Sequence, residues 1–193
     1  MNNIAKLGSI LFAICAVAAL ALGLTNQVTA PIIEERSIQA NNEARQVVLP
    51  DASEFIEMDN SVFSNIKELE EGLVAEVYEG KSDNEIVGYT IKTLPKGYGG
   101  KIELIVGISK DGNITGIDIG SMSETPGLGS KASEPNFKDQ FNGKSTNSEL
   151  DVVKGKVSDE NQIQAISGAT ITSKAVTVGV NAAIEVYNSV LNK

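Results

Sequence analysis

Residues 7–24, LGSILFAICAVAALALGL, are 18 consecutive positions without a charge. A helix rises about 1.5 Å per residue, so the run reaches roughly 27 Å, close to the hydrocarbon thickness of a bilayer. The chain of 193 residues then divides into an anchor and enough sequence for one further domain. A cleaved signal has a shorter apolar core, about 7–15 residues. Val28-Thr29-Ala30 supplies the small residues of a cleavage site, but Pro31 would follow the cut and disfavours it. The run therefore reads as an uncleaved anchor. Lys6 precedes it, and Glu34 and Glu35 are the first charges after it. By positive-inside logic the N-terminus stays in the cytoplasm and the domain lies outside.

Composition narrows the chemistry. The net charge is −9 and no basic cluster occurs, which argues against nucleic acid as a partner. Histidine is absent, and Cys15 is the only cysteine, inside the apolar run. Ile14 before it is not the small residue of a lipobox, so Cys15 reads as a small buried hydrophobe. Zinc, haem and iron–sulfur sites built from these ligands are excluded outside the anchor, as are histidine-dependent triads. Any redox chemistry must come from an organic cofactor.

Beyond the anchor, residues 34–48 read as helical, bracketed by Pro31 and Pro50. Residues 51–69 are acidic, with Phe55, Ile56, Val62, Phe63, Ile66 and Leu69 as candidate core contacts. Four strand candidates follow at 73–78, 85–94, 101–108 and 113–119, the third with apolar residues at every second position. Asp111-Gly112 is a hairpin signal, and 97–100 is a flexible glycine turn. Residues 85–119 predict a three-stranded antiparallel meander. Residues 134–141 predict a short helix, with Pro135 in its first turn and Phe137 and Phe141 on one face. Residues 142–156 read as loop. Val176, Val180, Ala183, Ile184, Tyr187, Val190 and Leu191 mark a long C-terminal helix of period 3.6.

Two motifs carry candidate chemistry. Ser167-Gly168-Ala169-Thr170 opens the last helix. It fits a simple cap with Ser167 as N-cap, as many helices begin, and also a small-residue turn whose free N–H groups and dipole suit a phosphate. Glu124-Thr125-Pro126-Gly127-Leu128-Gly129 fits a type II turn, and also a loop whose glycines let backbone approach a planar ligand; alone it decides neither. Thr172 and Ser173 are alternative acceptors in principle, but Thr172 points about 200° away from Thr170 around the helix, whereas Ser173 is its neighbour across one turn. Lys174 reads either as a counter-charge to phosphate or as a solvated lysine. Gly143-Lys144-Ser145 lacks the upstream glycine and strand of a P-loop, and the sequon Asn113-Ile114-Thr115 falls in the predicted hairpin.

Together these motifs resemble the FMN-binding domain shared by the G subunit of the Rnf ion-translocating electron-transport complex and the C subunit of the sodium-pumping NADH:quinone reductase. Gly97-Tyr98-Gly99-Gly100 and Phe137…Phe141-Asn142-Gly143-Lys144 resemble its further landmarks, and the length is more similar to the Rnf subunit. The resemblance implies FMN attached through a phosphoester to Thr170, with Ser167, Gly168, Ala169, Ser173, Glu124, Thr125, Pro126, Gly127 and Leu128 around it. One position departs from the family, whose attachment signal carries aspartate three residues before the motif where this chain has Gln164.

The expected fold is α+β: a single transmembrane helix, then one FMN-binding domain with a twisted antiparallel sheet and flanking helices. The expected division is 1–6 cytoplasmic, 7–24 transmembrane, 25–60 a connector with a helical segment, and 61–193 the FMN-binding domain. The implied function is an electron relay within a ferredoxin- and NAD-linked ion-translocating complex in the cytoplasmic membrane, without catalytic activity of its own. The implied partners are the other subunits, a flavin transferase and the lipid bilayer. A standalone membrane-anchored flavoprotein and a non-redox assembly module are the alternatives.

Overall fold

The computed structural model describes residues 3–58 and 72–192. The chain separates into two compact units, Met1–Asn41 and Asn42–Lys193. Helix α1 runs Asn3–Val48 and contains Pro31. Proline removes one N–H donor from the helical ladder, but here it does not end the helix as the sequence suggested. Within the first unit the apolar side chains stand exposed, Leu7, Phe12, Leu20 and Leu24 all above 60%. This is the one helix among the described residues that is long and apolar enough to cross a membrane.

The second unit is built on a five-stranded antiparallel meander in chain order: β1 (Glu54–Glu57), β2 (Val74–Ser82), β3 (Glu85–Thr93), β4 (Leu104–Ser109) and β5 (Ile114–Ile119). The expected three strands are its last three, and β2 extends the candidate at 73–78 as far as Ser82. The β2–β3 turn is Asp83-Asn84, with φ 51° and 67°. Asn and Asp tolerate the left-handed region, and two such residues make the two-residue turn that matches strand twist. β1 occupies the sheet edge, so Phe55 is half-buried and Ile56 is exposed rather than core. Val62, Phe63, Ile66 and Leu69 lie outside the described residues.

After β5 come a 3-10 turn (Gly129–Ser133), the one-turn helix α2 (Pro135–Lys138) and a second 3-10 turn (Asp139–Phe141). Phe137 and Phe141 are buried and meet edge-to-face at 5.5 Å. The segment read as loop instead contributes β6 (Asp151–Val153), which pairs in parallel with β7 (Gln162–Gln164). Helix α3 (Thr170–Val186) then crosses the sheet and ends in a π-helical turn, Tyr187–Leu191. Its Val176, Val180, Ala183 and Ile184 close the main core against Ile91, Leu104, Val106 and Ile108 of the sheet. Asn181 exchanges two hydrogen bonds of 2.9 Å with the backbone of Leu150, tying the start of β6 to α3. Tyr187 donates to the carbonyl of Lys110 at 2.8 Å, and burial raises the pKa of its phenol.

The opposite face of the sheet takes the end of α1. Glycines 80, 88, 107 and 116, one on each of β2 to β5, form a trough across the strands, and Val48, Leu49 and Ala52 lie in it. A Cβ on Gly107 would collide with the Val48 carbonyl oxygen, which also accepts a hydrogen bond from Thr115 Oγ1. Beside the trough Arg45 is ion-paired to Glu76 and stacks 3.7 Å above the Tyr78 ring. Lys92 pairs with the same Glu76 at 3.3 Å. The residues from 42 onward, expected in the connector, are thus part of the second unit.

Since a backbone oxygen blocks any side chain at 107, Gly107→Ala lowers stability by about 1–3 kcal/mol through overpacking. Gly155→Ala, with nothing within 4 Å of its Cβ, serves as the control and leaves it unchanged. Thermal unfolding of the detergent-solubilised chain, followed by far-UV circular dichroism because tryptophan is absent, measures the difference.

Candidate functional site

The two motifs meet at one cavity of about 600 Å³. One wall is Glu124, Thr125, Leu128 and Gly129; the other is residues 168–172, which include the first turn of α3; and Tyr98, from the glycine turn before β4, completes the lining. Each wall rests on a turn with glycine in third place. Leu128 N–H donates to Thr125 O at 3.1 Å with Gly127 at φ 76°, and Ala169 N–H donates to Ile166 O at 3.0 Å with Gly168 at φ 79°. These are the features of type II turns, which need a residue tolerant of positive φ in that place. The first was predicted from Pro-Gly; the second was read as part of the helix.

The helix therefore starts later than a Ser167 cap requires. Its N-cap is Ala169, and no side chain caps it. The N–H groups of Thr170, Ile171 and Thr172 have no acceptor within the helix and belong to residues that line the cavity. Ser167 is exposed and lines a neighbouring cleft with Gln164 and Lys131.

Three hydroxyls in the first turn have different roles. Ser173 is fully buried; its Oγ donates to Ala169 O and accepts from Ile166 N–H, both at 3.0 Å. It holds the turn and does not line the cavity. Thr172 is buried and its Oγ1 donates to Glu124 Oε2 at 2.5 Å. Thr170 is half-buried in the cavity wall, and its hydroxyl has no partner among the described residues.

Glu124 joins all three segments. Besides Thr172 it accepts the Gly99 N–H, on Oε1 at 2.9 Å. Its burial explains the glycines nearby. A Cβ on Gly129 would stand 2.6 Å from Glu124 Oε2 and 2.7 Å from Thr172 Oγ1. Gly129 thus makes room for the carboxylate and its partner rather than for a ligand.

Of the candidate residues, Glu124, Thr125, Leu128, Gly168, Ala169 and Thr170 line the cavity; Pro126, Gly127, Ser167 and Ser173 shape its turns without lining it. Of the other lining residues, Tyr98 and Gly129 stood in the glycine turn and the Pro-Gly loop without being assigned to the cofactor, Thr172 was an alternative acceptor, and Ile171 was not singled out. Tyr98, Leu128 and Ile171 are 71%, 43% and 56% exposed, an apolar rim on a polar floor. The signal for Tyr98 was its place inside a glycine turn; for Thr172 it was a hydroxyl on a face that the helical period already marked as buried. Gln164 exchanges amide hydrogen bonds with Gln140, its N–H donating to Oε1 at 2.7 Å.

Thr172→Val keeps the shape of the side chain and removes a hydroxyl bonded to a buried carboxylate, so it lowers thermal stability by about 1.5–3 kcal/mol. Glu124→Gln, whose amide can still bond both Gly99 and Thr172, costs less than Thr172→Val. The ordering of the two melting temperatures checks the bridge.

Comparison with known proteins places this geometry in a family. Residues 97–185, which carry every lining residue, match the FMN-binding domain family. The chain is 54% identical over 190 residues to the G subunit of the Na(+)-translocating ferredoxin:NAD(+) oxidoreductase complex of Acetobacterium woodii, covering 95% of this chain and 91% of the relative. It is 34% identical to the G subunit of the proton-translocating ferredoxin:NAD(+) oxidoreductase complex of Clostridium ljungdahlii, at the same two coverages, 95% and 91%. Among solved structures it is similar to the C subunit of the Na(+)-translocating NADH-quinone reductase of Parabacteroides distasonis. That likeness has a TM-score of 0.59 and 25% identity, and covers 82% of this chain and 97% of the other. A chain that carries this domain behind an apolar helix, and that aligns almost end to end with such relatives, belongs to the family of G subunits of ion-translocating oxidoreductase complexes.

Proposed function

We propose that this chain is the electron-relay subunit of a membrane-bound ferredoxin- and NAD-linked ion-translocating complex, and that it holds FMN through a phosphoester to Thr170. The observation that carries the attachment site is the contrast among the hydroxyls. Thr172 and Ser173 are buried and engaged in hydrogen bonds. Among the described residues, Thr170 alone of the three lines the cavity with an unpartnered hydroxyl. The uncapped first turn of α3 offers N–H groups and the positive end of its dipole to the phosphate beside that hydroxyl.

FMN bound there supplies electron transfer in units that side chains lacking metal ligands do not. The chain's own part is to hold and orient it. Tyr98, Leu128 and Ile171 offer apolar surface to a flat ring, and Glu124 fixes the walls to one another. A covalent tether removes the loss of translational freedom that repeated binding would incur, and it retains the cofactor on the outer side of the membrane. That orientation, with the N-terminus in the cytoplasm, rests on Lys6 before the apolar run and Glu34 and Glu35 after it. The attaching enzyme is a flavin transferase that meets the Ser167–Thr170 segment on the surface.

Co-produced with a flavin transferase, the full chain gives a fluorescent flavin band on a denaturing gel. Thr170→Ala abolishes the band, and Thr172→Ala retains it. A band that survives Thr170→Ala, or none in the unaltered chain, overturns the attachment site. Orientation is checked separately. Lys156 is exposed and the only native cysteine lies in the apolar run, so Lys156→Cys in intact cells is labelled by a membrane-impermeant maleimide. Labelling only after the cells are opened reverses the topology.

A further inference from the structure

We propose that the cavity rim is a docking face for an acidic surface on a neighbouring subunit of the complex, held electrostatically by Lys96, Lys101, Lys131 and Lys174. The inference rests on the reading that the cavity holds the relay cofactor and goes beyond it by assigning the chemistry of the partner.

The four lysines come from the three segments that build the cavity. Lys96 and Lys101 pair across the base of the turn that carries Tyr98. Lys131 lies two residues after Gly129 and lines the adjoining cleft with Ser167. Lys174 stands one helical turn beyond Thr170, on the same side of α3. All four are exposed, and among the described residues none is ion-paired. The lysines that do form ion pairs, at 81, 92 and 138, sit on β2, β3 and α2.

Carboxylates on the same segments do not cancel this charge. Glu124 is buried and bonded inside. Glu103 faces Lys92 at 3.9 Å and accepts from the Ser121 N–H. Only Glu134 is exposed without an ion pair on these segments. In a chain of net charge −9, the cavity rim is thus a local reversal of sign. A phosphoester tether carries one negative charge, which Lys174 alone can offset, so the cofactor leaves three of the four lysines unanswered.

Tyr98, Leu128 and Ile171 place exposed apolar surface inside this ring. An apolar centre with a charged rim is the anatomy of a protein interface. Exposed charge pairs contribute little affinity individually, but they orient partners and speed encounter in a salt-dependent way. A relay that must receive and pass electrons needs that: a partner held at the cofactor edge in a fixed orientation and then released.

Treating the intact complex, purified through this chain, with a water-soluble carbodiimide tests the proposal, because the reagent joins lysine amines to carboxylates in contact. Mass spectrometry of the peptides is expected to find links from these lysines to Asp or Glu of another subunit. Raising salt to about 1 M, where screening acts within about 3 Å, weakens them. Replacing all four lysines with Gln lowers the yield about tenfold while the flavin band of the chain persists. Intersubunit links confined to Lys154 and Lys156, links from the four lysines only to carboxylates of this chain, or no links from the four in a complex that stays assembled would each overturn it. Loss of the flavin band in the unaltered chain is a separate result that overturns the function reading instead.

Discussion

The carboxylate of Glu124 is the constraint on which the cavity depends. One oxygen takes the Gly99 N–H and the other the Thr172 hydroxyl, so residues remote in sequence are fixed at one buried point. Hydrogen bonds to a charged acceptor are worth about 1.5–3 kcal/mol each, and leaving such an acceptor unpaired costs at least as much. Displacing any one of the three segments therefore breaks at least one bond to this buried group. Gly129 is small because this carboxylate and Thr172 fill the space where its side chain would be.

Close packing of the same kind runs through the rest of the unit. α3 turns almost every side inward, and its exposed positions in the first turns are Ile171, Lys174 and Val178. Its small residues let it lie close over β3 and β4; a Cβ on Gly179 would meet Thr93 and Leu104 within 3 Å. On the far side of the sheet a trough of glycines receives the end of α1, locked by Arg45 on Glu76 and Tyr78. The sheet is thus covered on both faces, and the loops at one end are left to form the cavity.

Legibility followed the strength of local patterns. β4 and the C-terminal helix were readable because several alternations or turns repeat the same period, and β3 and β5 because turn signals bound their apolar runs. β6 and β7 have three residues each, too few for a period, and their parallel pairing is a long-range choice. The β2–β3 turn went unread because Asp83-Asn84 lacks the glycine that usually marks such turns. At the site, both motifs were visible, but the division of labour among their hydroxyls was not. Helical spacing placed Ser173 beside Thr170, and one turn of the helix does lie between them. What it could not supply was the start of α3 at Thr170, which turns Ser173 inward to the Ala169 carbonyl.

The sequence by itself determined a helix long and apolar enough to cross a membrane, the antiparallel meander, the final helix, and the lack of histidine and of any cysteine outside the apolar run, since each follows from composition or from a period within one segment. Only the tertiary structure decided that Glu124 faces inward as a clamp, that Tyr98 shares a cavity with Thr170, and that Thr172 is occupied while Thr170 has no hydrogen-bond partner among the described residues. Those are relations between segments at least 25 residues apart in the chain. No local pattern encodes them, because the energy that selects them is gained only when the chain has already folded back on itself.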